Sequence, residues 1–277
     1  MKIYSWNMYI RNSDPDRSFD FVSKSDFDIL CLQEVPESFV QRLSTLPYHV
    51  DVASEMDEVY SRKSTNRHSV ILSRYPIMKA VHLSLPNRED VLAARAKLFV
   101  HLLIALGLWG RSSGNRHSQY VDLSTPHGPV RVFNLHLPLV SPAWRVEEFE
   151  LALAEREPGL PTIVCGDFNI LEHPSITPLS WLLGGTVSDA VYYRRERIQI
   201  EKRFVAHELT NALRGSVTHS FSRSQLDHIL VSDNFTINNA EVIPDRHGSD
   251  HNPVYAEVIE KASTASMLRL PRRDGQA

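Results

Sequence analysis

Cysteine is scarce in this sequence of 277 residues, which contains only Cys31 and Cys165. Two isolated cysteines form neither the ligand pattern of a zinc site nor a disulfide framework. Both lie inside apolar runs, so we interpret them as buried thiols. The N-terminus also lacks a basic segment followed by an apolar one. Since no secretory signal is visible, we expect a cytoplasmic location.

Positive charge is also in short supply. The chain has 30 Lys and Arg against 33 Asp and Glu, which gives a formal net charge of -3. Tight non-specific binders of nucleic acid usually carry an excess of basic residues, so this balance argues against such a binder. It does not exclude an enzyme that acts on nucleic acid, because a catalyst needs only a local basic patch.

Internal repeats and Gly/Ser linkers are absent, so we interpret residues 1–260 as one domain. The tail 261–277 is basic and rich in small residues, and we predict that it is disordered. Apolar residues form 42% of the chain, which is enough for a sizeable core.

Short apolar runs alternate with helical patterns along the chain. The runs that we predict to be strands are 2–7, 29–34, 68–73, 119–124, 130–136, 162–167, 228–232 and 254–260. The predicted helices are 18–25, 37–46, 144–155, 176–183 and 194–213. This mixture of elements is typical of a layered α/β fold.

Residues 88–110 form an unusual segment, because the chain there is apolar almost all round from Leu98 onward. The segment is too short, and its first half too charged, to be identified as a membrane span. One interpretation is a buried helix or a long strand. The other is an interfacial or lid helix that exposes apolar surface.

Seven short motifs place polar groups at or near the ends of apolar strands. In chain order they are SWN (5–7), LQEV (32–35), ILSRYPI (71–77), NLHL (134–137), CGDFN (165–169), LDHILVS (226–232) and GSDHNPV (248–254). In layered α/β folds such strand ends lie together at one rim of the sheet, where side chains converge on a site. The groups that these motifs contribute are Asn7, Glu34, His136, Asp167, Asn169, Asp227, Asp250 and His251.

The chemistry of this set is informative. Four carboxylates and two amides are hard oxygen ligands, and no cysteine accompanies them, so the set suits Mg²⁺, Mn²⁺ or Ca²⁺ rather than zinc. Two histidines beside a hard cation indicate acid–base or transition-state chemistry on a phosphate ester.

In this order, the motifs resemble those of the endonuclease/exonuclease/phosphatase superfamily, which includes deoxyribonuclease I, exonuclease III and the neutral sphingomyelinases. The resemblance extends from Lys2 to about Val258. It implies a four-layer α/β sandwich, in which two mixed β-sheets lie face to face with helices outside. It also places the active site at one rim of the sandwich.

The resemblance implies a metal site and its neighbours. Glu34 matches the principal metal ligand, with Asn7 beside it, and Asp250 matches an acidic residue that contacts the metal or its water. Asp167 and Asn169 match residues close to the attacking water and the scissile phosphate.

The resemblance also implies a histidine pair. His251 matches the catalytic histidine, and Asp227 matches the carboxylate that orients it and favours its charged form. His136 matches the second histidine of the deoxyribonuclease I and sphingomyelinase branches. Water would attack phosphorus in line, with either Asp167 or His251 activating it. Substrate phosphate would be contacted by Arg116, His219 and Arg223.

The sequence differs from particular branches of the family, and these differences leave the identity of the substrate open. SWNMYI and NLHLPLV argue against an apurinic endonuclease, and Asp227-His228-Ile229 argues against an inositol 5-phosphatase. We expect first a nuclease-like phosphodiesterase with nucleic acid as its substrate. The alternatives are a phosphatase or lipid phosphodiesterase at a membrane surface, contacted through 88–110, and a non-catalytic binding module. If 88–110 is an interfacial helix, it packs near the active-site rim.

Overall fold

The computed structural model describes residues 1–60, 63–85, 92–107, 111–113 and 116–261. Within these residues the chain forms two mixed β-sheets that lie face to face, with helices on their outer surfaces. The four-layer α/β sandwich expected from the sequence is therefore confirmed.

The first sheet has seven strands among the described residues. They are β1 (Lys2–Asn7), β2 (Ile29–Pro36), β3 (His49–Tyr60), β4 (Lys63–Ser73), β6 (Arg111–Ser113), β12 (Phe235–Val242) and β13 (Val254–Glu260). Their order is β12-β13-β1-β2-β4-β3-β6. Strand β1 lies inside the sheet, parallel to β2 and antiparallel to β13, and its carboxyl end reaches the rim of the sheet.

The second sheet has six strands in the same described part of the chain. They are β5 (Ile77–Leu85), β7 (Arg116–Thr125), β8 (Gly128–His136), β9 (Thr162–Asp167), β10 (Leu209–Asn211) and β11 (Asp227–Ser232). Their order is β10-β11-β9-β8-β7-β5. Strands β8 and β9 are parallel, and their register pairs His136 with Asp167.

The helices are α1 (Pro15–Lys24), α2 (Glu37–Leu43), α3 (Ala94–Ala105), α4 (Pro142–Leu153), α5 (Thr177–Leu182), α6 (Val187–Val191) and α7 (Arg195–Ala206). The first two cover the seven-stranded sheet, where Val22 and Phe39 pack with Trp6. Helices α4 and α7 cover the other sheet through Phe149 and Phe204. Apolar side chains from both sheets form the central layer, in which each strand contributes its inward-facing residues.

The predicted helix 194–213 is wrong in its second half. Helix α7 ends at Ala206, Glu208 adopts a left-handed φ of 52°, and the chain continues as β10. Leu209 and Leu213 are buried, as the apolar pattern indicated. Leu209 is held by strand pairing with β11, and Leu213 lies in the turn that follows β10, which the local spacing could not reveal.

The apolar segment 88–110 is described only from 92 to 107, where it forms α3. Among the described helices none is long and apolar enough to cross a membrane. The tail predicted to be disordered lies, beyond Lys261, outside the described residues.

Candidate active site

The strand register brings three of the predicted residues side by side. Asp167, the last residue of β9, is paired with His136 on β8 and with Asp227 on β11. Gly166 makes this close approach possible, since a Cβ there would lie 1.8 Å from the backbone oxygen of Leu135. The glycine of the CGDFN motif is therefore required by the packing of the strands that carry the acidic and histidine groups.

Glu34 projects from a β-bulge. The register of β2 against β4 shifts between Leu32 and Val35, and Glu34 itself has a φ of 54°. A left-handed conformation is unfavourable for a glutamate and persists only where its surroundings hold it. Here the amide of Ile10 donates to Glu34 Oε2 at 3.1 Å, and the amide of Glu34 donates to Glu55 Oε2 at 3.1 Å.

His251 forms a buried pair with Asp227, with 2.9 Å between His251 Nδ1 and Asp227 Oδ2. Burial alone would lower the pKa of His251, but the charges of Asp227 and Asp167 outweigh it and raise this pKa to about 10. Burial raises the pKa of Asp227, against the lowering effect of His251. The pair therefore favours the charged form of His251, with Asp227 as its counter-ion.

His136 forms a second pair of the same kind, with Glu55 on β3. His136 Nδ1 lies 2.5 Å from Glu55 Oε1. Burial opposes the charged form of His136, but the charge of Glu55 and its hydrogen bond raise the pKa of the histidine. Arg67 on β4 contacts both carboxylates. Its Nε lies 2.9 Å from Glu55 Oε1, and its Nη1 lies 3.4 Å from Glu34 Oε1.

Glu55 and Arg67 were not among the residues predicted for the site. Strand β3 contains many polar residues, so no apolar run marked it. In the structure Ala53 and Glu55 are buried and Ser54 between them is exposed, which places Glu55 on the inward face of the strand. A buried carboxylate at such a position requires a charged or hydrogen-bonding partner.

Asp167 lies between the two histidines. Its Oδ2 is 3.7 Å from His136 Nε2 and 3.8 Å from His251 Nε2. The side-chain amide of Asn7 donates to the same oxygen at 2.9 Å and to Glu34 Oε1 at 3.3 Å. The amide of Asn169 donates to Leu137 O, with its nitrogen 3.1 Å from His136 Nε2.

The loop that carries Asp250 and His251 is tied to the end of β1. The hydroxyl of Ser249 donates to Asn7 O at 2.8 Å and accepts from the amide of His251 at 3.0 Å. The indole of Trp6 donates to His251 O at 3.2 Å. These contacts give the tryptophan of the SWN motif a physical role, because it joins the first and last motifs of the chain.

The remaining predicted residues lie around this cluster in different environments. Asp250 is half-exposed at the mouth, with Oδ2 3.8 Å from His219 Nε2, and the His219 ring lies 4.7 Å from that of His251. Arg223 is exposed on the same loop as His219. The guanidinium of Arg116 instead donates to both oxygens of Glu148, at 2.8 and 2.9 Å, and to His136 O. The guanidinium of Arg116 is thus bound by Glu148 and by the backbone of His136.

The side chains of the site include groups that could hold a divalent cation. Two groups of three side chains place ligand atoms within 4.8 Å of one another, namely His219, Asp250 and His251, and Asp167, Asp227 and His251. Glu34 belongs to neither group, but it shares the amide of Asn7 with Asp167. In these groups two buried carboxylate oxygens, Asp250 Oδ1 and Asp227 Oδ1, have no hydrogen-bond partner, as expected of oxygens placed near a ligand.

The chain belongs to the endonuclease/exonuclease/phosphatase family, whose model matches residues 4–251. It is similar to an endonuclease/exonuclease/phosphatase from Beutenbergia cavernae, with a TM-score of 0.68, 17% identity, and coverage of 94% of this chain and 71% of that chain. No curated protein matches it.

Two further solved structures carry more specific descriptions. A mannosyl-6-phosphatase from Bacteroides thetaiotaomicron has a TM-score of 0.61 at 20% identity, covering 94% of this chain and 99% of that chain. A 3′ phosphatase from Neisseria bound to a product DNA hairpin has a TM-score of 0.54 at 18% identity, covering 93% and 98%. At these identities, the likeness shows a shared fold.

Proposed function

We propose that the protein is a Mg²⁺-dependent phosphodiesterase, with nucleic acid as its first candidate substrate. The observation that carries this proposal is the position of Asp167 Oδ2, within 3.8 Å of the Nε2 atoms of two carboxylate-paired histidines. Hydrolysis of a phosphodiester needs a group that accepts a proton from water and a group that protonates the leaving oxygen. This cluster contains candidates for both.

A divalent metal is part of the proposal, because members of the family are generally dependent on one. Glu34, Asn7 and Asp250 are the residues that we expect to hold it, and their oxygen donors suit Mg²⁺, with Mn²⁺ or Ca²⁺ as substitutes. The bound ion would supply positive charge against the negative charge that develops on the phosphate.

The roles of the side chains in proton transfer follow from the charge state of His251. His251, with a pKa of about 10, is already protonated at neutral pH and cannot accept a proton from water. We therefore assign the acceptance of that proton to Asp167. As the water oxygen bonds to phosphorus, its proton passes to Asp167. As the bond to the leaving oxygen breaks, His251 Nε2 donates the proton that this oxygen needs.

His136 and Asn169 are the groups that we expect to orient the phosphate. The charge and hydrogen bond of Glu55 raise the pKa of His136, and Glu55 fixes the imidazole ring through Nδ1. His219 and Arg223 lie on the outer side of the site, where they could contact phosphates further along a polymer. Arg116 is better described as a positioning residue, since its guanidinium holds the backbone of His136.

We propose a cytoplasmic location because both cysteines are free thiols. Cys31 on β2 and Cys165 on β9 are free and buried in the central layer. Burial raises the pKa of the Cys31 thiol, and its hydrogen bond with Cys165 adds to the effect. Free cysteines are typical of proteins in a reducing compartment.

The proposal is tested by a substrate panel in Mg²⁺ and in EDTA. The panel contains plasmid DNA, RNA, bis-p-nitrophenyl phosphate, p-nitrophenyl phosphate and sphingomyelin. We expect Mg²⁺-dependent cleavage of the nitrophenyl diester and of nucleic acid. Hydrolysis of the monoester alone would replace the phosphodiesterase with a phosphatase, and inactivity on every substrate would favour a binding module.

A lipid phosphodiesterase is the second candidate. The observation that favours it is the row of exposed leucines on α3, a helix that packs beside the site. Cleavage of sphingomyelin without cleavage of DNA or RNA would select this candidate.

A further inference from the structure

Exposed apolar side chains are concentrated beside the active site. Ten of the fifteen large apolar side chains that are exposed among the described residues lie on α3, α5, α6, the turn after α6, and the loop between β10 and β11. We call this surface the rim face and define it by Leu98, Leu102, Leu106, Trp181, Tyr192 and Phe221. Such a concentration on one part of a protein marks a surface that contacts something else.

Helix α3 is firmly seated, with its leucines outward. Leu98, Leu102 and Leu106 are spaced four residues apart, so they share one side of the helix, and Leu98 is 74% exposed. On its other side, Phe99 and Val100 pack in the cluster of Leu171 and Leu226. Leu226 directly precedes Asp227, so the helix lies next to the strand ends that form the site.

The contacts of α3 with α5 fix the helix in this position. The Nε of Arg95 donates to Trp181 O at 3.0 Å, and the guanidinium lies 4.9 Å from the Trp181 ring. Phe221, which is 81% exposed, projects from the loop that His219 and Ser222 hold together through a 2.9 Å hydrogen bond. The leucines and the phenylalanine are therefore presented by ordered backbone on neighbouring elements.

The charges on this surface are mostly positive. The described segment 92–107 and the loop 209–226 contain no aspartate or glutamate, although the whole chain has a net charge of -3. Asp189 on α6 is ion-paired with Arg195, and Glu172 is ion-paired with Arg197. The half-exposed Asp250 lies beside this surface, with its Oδ2 3.8 Å from His219 Nε2. The rim face thus combines apolar side chains with basic groups, such as Arg223.

We propose that the rim face binds the surface of an anionic lipid bilayer and holds the active-site mouth against it. Leucines and aromatic rings enter the region between headgroups and acyl chains, while basic side chains contact anionic headgroups. Nucleic acid would gain nothing from the row of leucines. A second copy of the chain would bring two positive surfaces together, which is unfavourable.

This inference goes beyond the proposed hydrolysis, because it concerns where the protein binds and does not require a lipid substrate. It is tested by sedimentation with vesicles of phosphatidylcholine, with and without phosphatidylglycerol. We expect the wild type to bind the anionic vesicles and to bind the neutral ones more weakly. The L98Q/L102Q variant should bind anionic vesicles at least about tenfold more weakly, because it loses two exposed leucines that would be buried in the bilayer.

The matched control is M78Q/I259Q. Met78 and Ile259 are 57% and 58% exposed, and the pairing of β5 and β13 places them at the strand ends opposite the site. This variant should bind like the wild type. A second rim-face variant, Phe221→Ser, lies on another element and should also weaken binding, so the test does not depend on the folding of the α3 variant.

Three results would overturn the proposal. They are the absence of wild-type binding, equal binding by wild type and both rim-face variants, and a wild-type dimer that L98Q/L102Q converts to a monomer. Hydrolysis of soluble bis-p-nitrophenyl phosphate is measured on the same proteins. Because that assay needs no bilayer, it separates failure of the membrane proposal from failure of the proposed function.

Discussion

The active site and helix α3 differ in whether the fold itself accounts for the side chains that they carry. In the site, buried groups have partners within the protein: His251 has Asp227, and His136 has Glu55. On α3 the inner residues Phe99 and Val100 pack on the core, but Leu98 and Leu102 extend into solvent. The two histidines of the site have their partners within the chain, whereas the outer leucines of α3 are open to solvent.

This difference separates two kinds of requirement on a sequence. A buried charge must be paired inside the fold, because desolvation without a partner costs several kcal/mol, on the order of 2–7 kcal/mol even for a neutral polar group. An exposed leucine meets no such requirement from the fold. Burial of its apolar surface contributes about 25 cal/mol per Å², and this requires that another molecule cover the side chain. Variants in the two regions should therefore fail in different assays.

The largest effect is expected for Asp167→Asn. Loss of the proton acceptor should lower kcat by about 10²–10⁴-fold, the usual scale for a positioned acid or base. The change keeps the shape of the side chain, so thermal unfolding should show a folded protein. Asp233→Asn, at an exposed turn after β11, is the control and should retain wild-type kcat. A similar loss in both variants would remove Asp167 from the chemistry.

Glu34→Gln should have the next largest effect, on the metal requirement. A neutral amide is a weaker ligand for a hard cation than a carboxylate, so the Mg²⁺ concentration for half-maximal rate should rise by about 10–100-fold. The measurement is a Mg²⁺ titration of the rate, with the exposed Glu241→Gln as the control. An unchanged titration would mean that Glu34 does not hold the ion.

Asp227→Asn should change the pH dependence. The folded-state pKa of His251, about 10, lies above its unfolded value of about 6.5. The stabilisation from this pair is therefore fully present below pH 6.5 or so and is lost as the pH rises through the folded pKa. Because catalysis uses the imidazolium, the wild-type rate should also fall as the pH approaches about 10.

In Asp227→Asn the counter-charge is absent, so the pKa of His251 should drop by about one unit or more. Both the alkaline fall in rate and the alkaline loss of stability should then move to lower pH. Profiles of kcat/KM and of thermal unfolding against pH measure the two shifts. Alkaline limbs that coincide in the two proteins would show that Asp227 does not set the charge of His251.

The smallest effect is expected for L98Q/L102Q on stability. Both side chains point into solvent, so the free energy of unfolding should change by no more than about 0.5 kcal/mol, and hydrolysis of a soluble diester should be unchanged. Urea unfolding measures the first quantity. A loss of several kcal/mol would show that the leucines are part of the core and would remove the contrast between the two regions.

The sequence predicted the parts of the site that lie on apolar strands. Strand β1 was predicted with its observed bounds, Lys2–Asn7, and polar residues at strand ends such as Asp167 and His136 were identified because the apolar runs before them are strong. The convergence of these strand ends at one rim followed from the architecture that the family resemblance implied.

The parts that were missed depend on contacts between distant segments. Strand β3 carries Glu55 but has too many polar residues to be recognised, and its pairing with β4 is what makes it a strand. The ion pair between Arg116 and Glu148 likewise joins residues that are far apart in the chain. Leu209 and Leu213 have a helical spacing and lie at a strand and its turn, because pairing with β11 overrides the local pattern.

The central claim is that His251 donates a proton to the leaving oxygen while Asp167 accepts one from water. It is tested most directly with His251→Ala and two phosphodiesters that differ only in the leaving group, p-nitrophenol in one and an alkyl alcohol in the other. Nitrophenolate leaves without a proton, whereas an alkoxide does not. We expect the variant to lose about 10²–10⁴-fold in kcat with the alkyl ester and much less with the nitrophenyl ester. Equal losses with the two substrates would contradict the account.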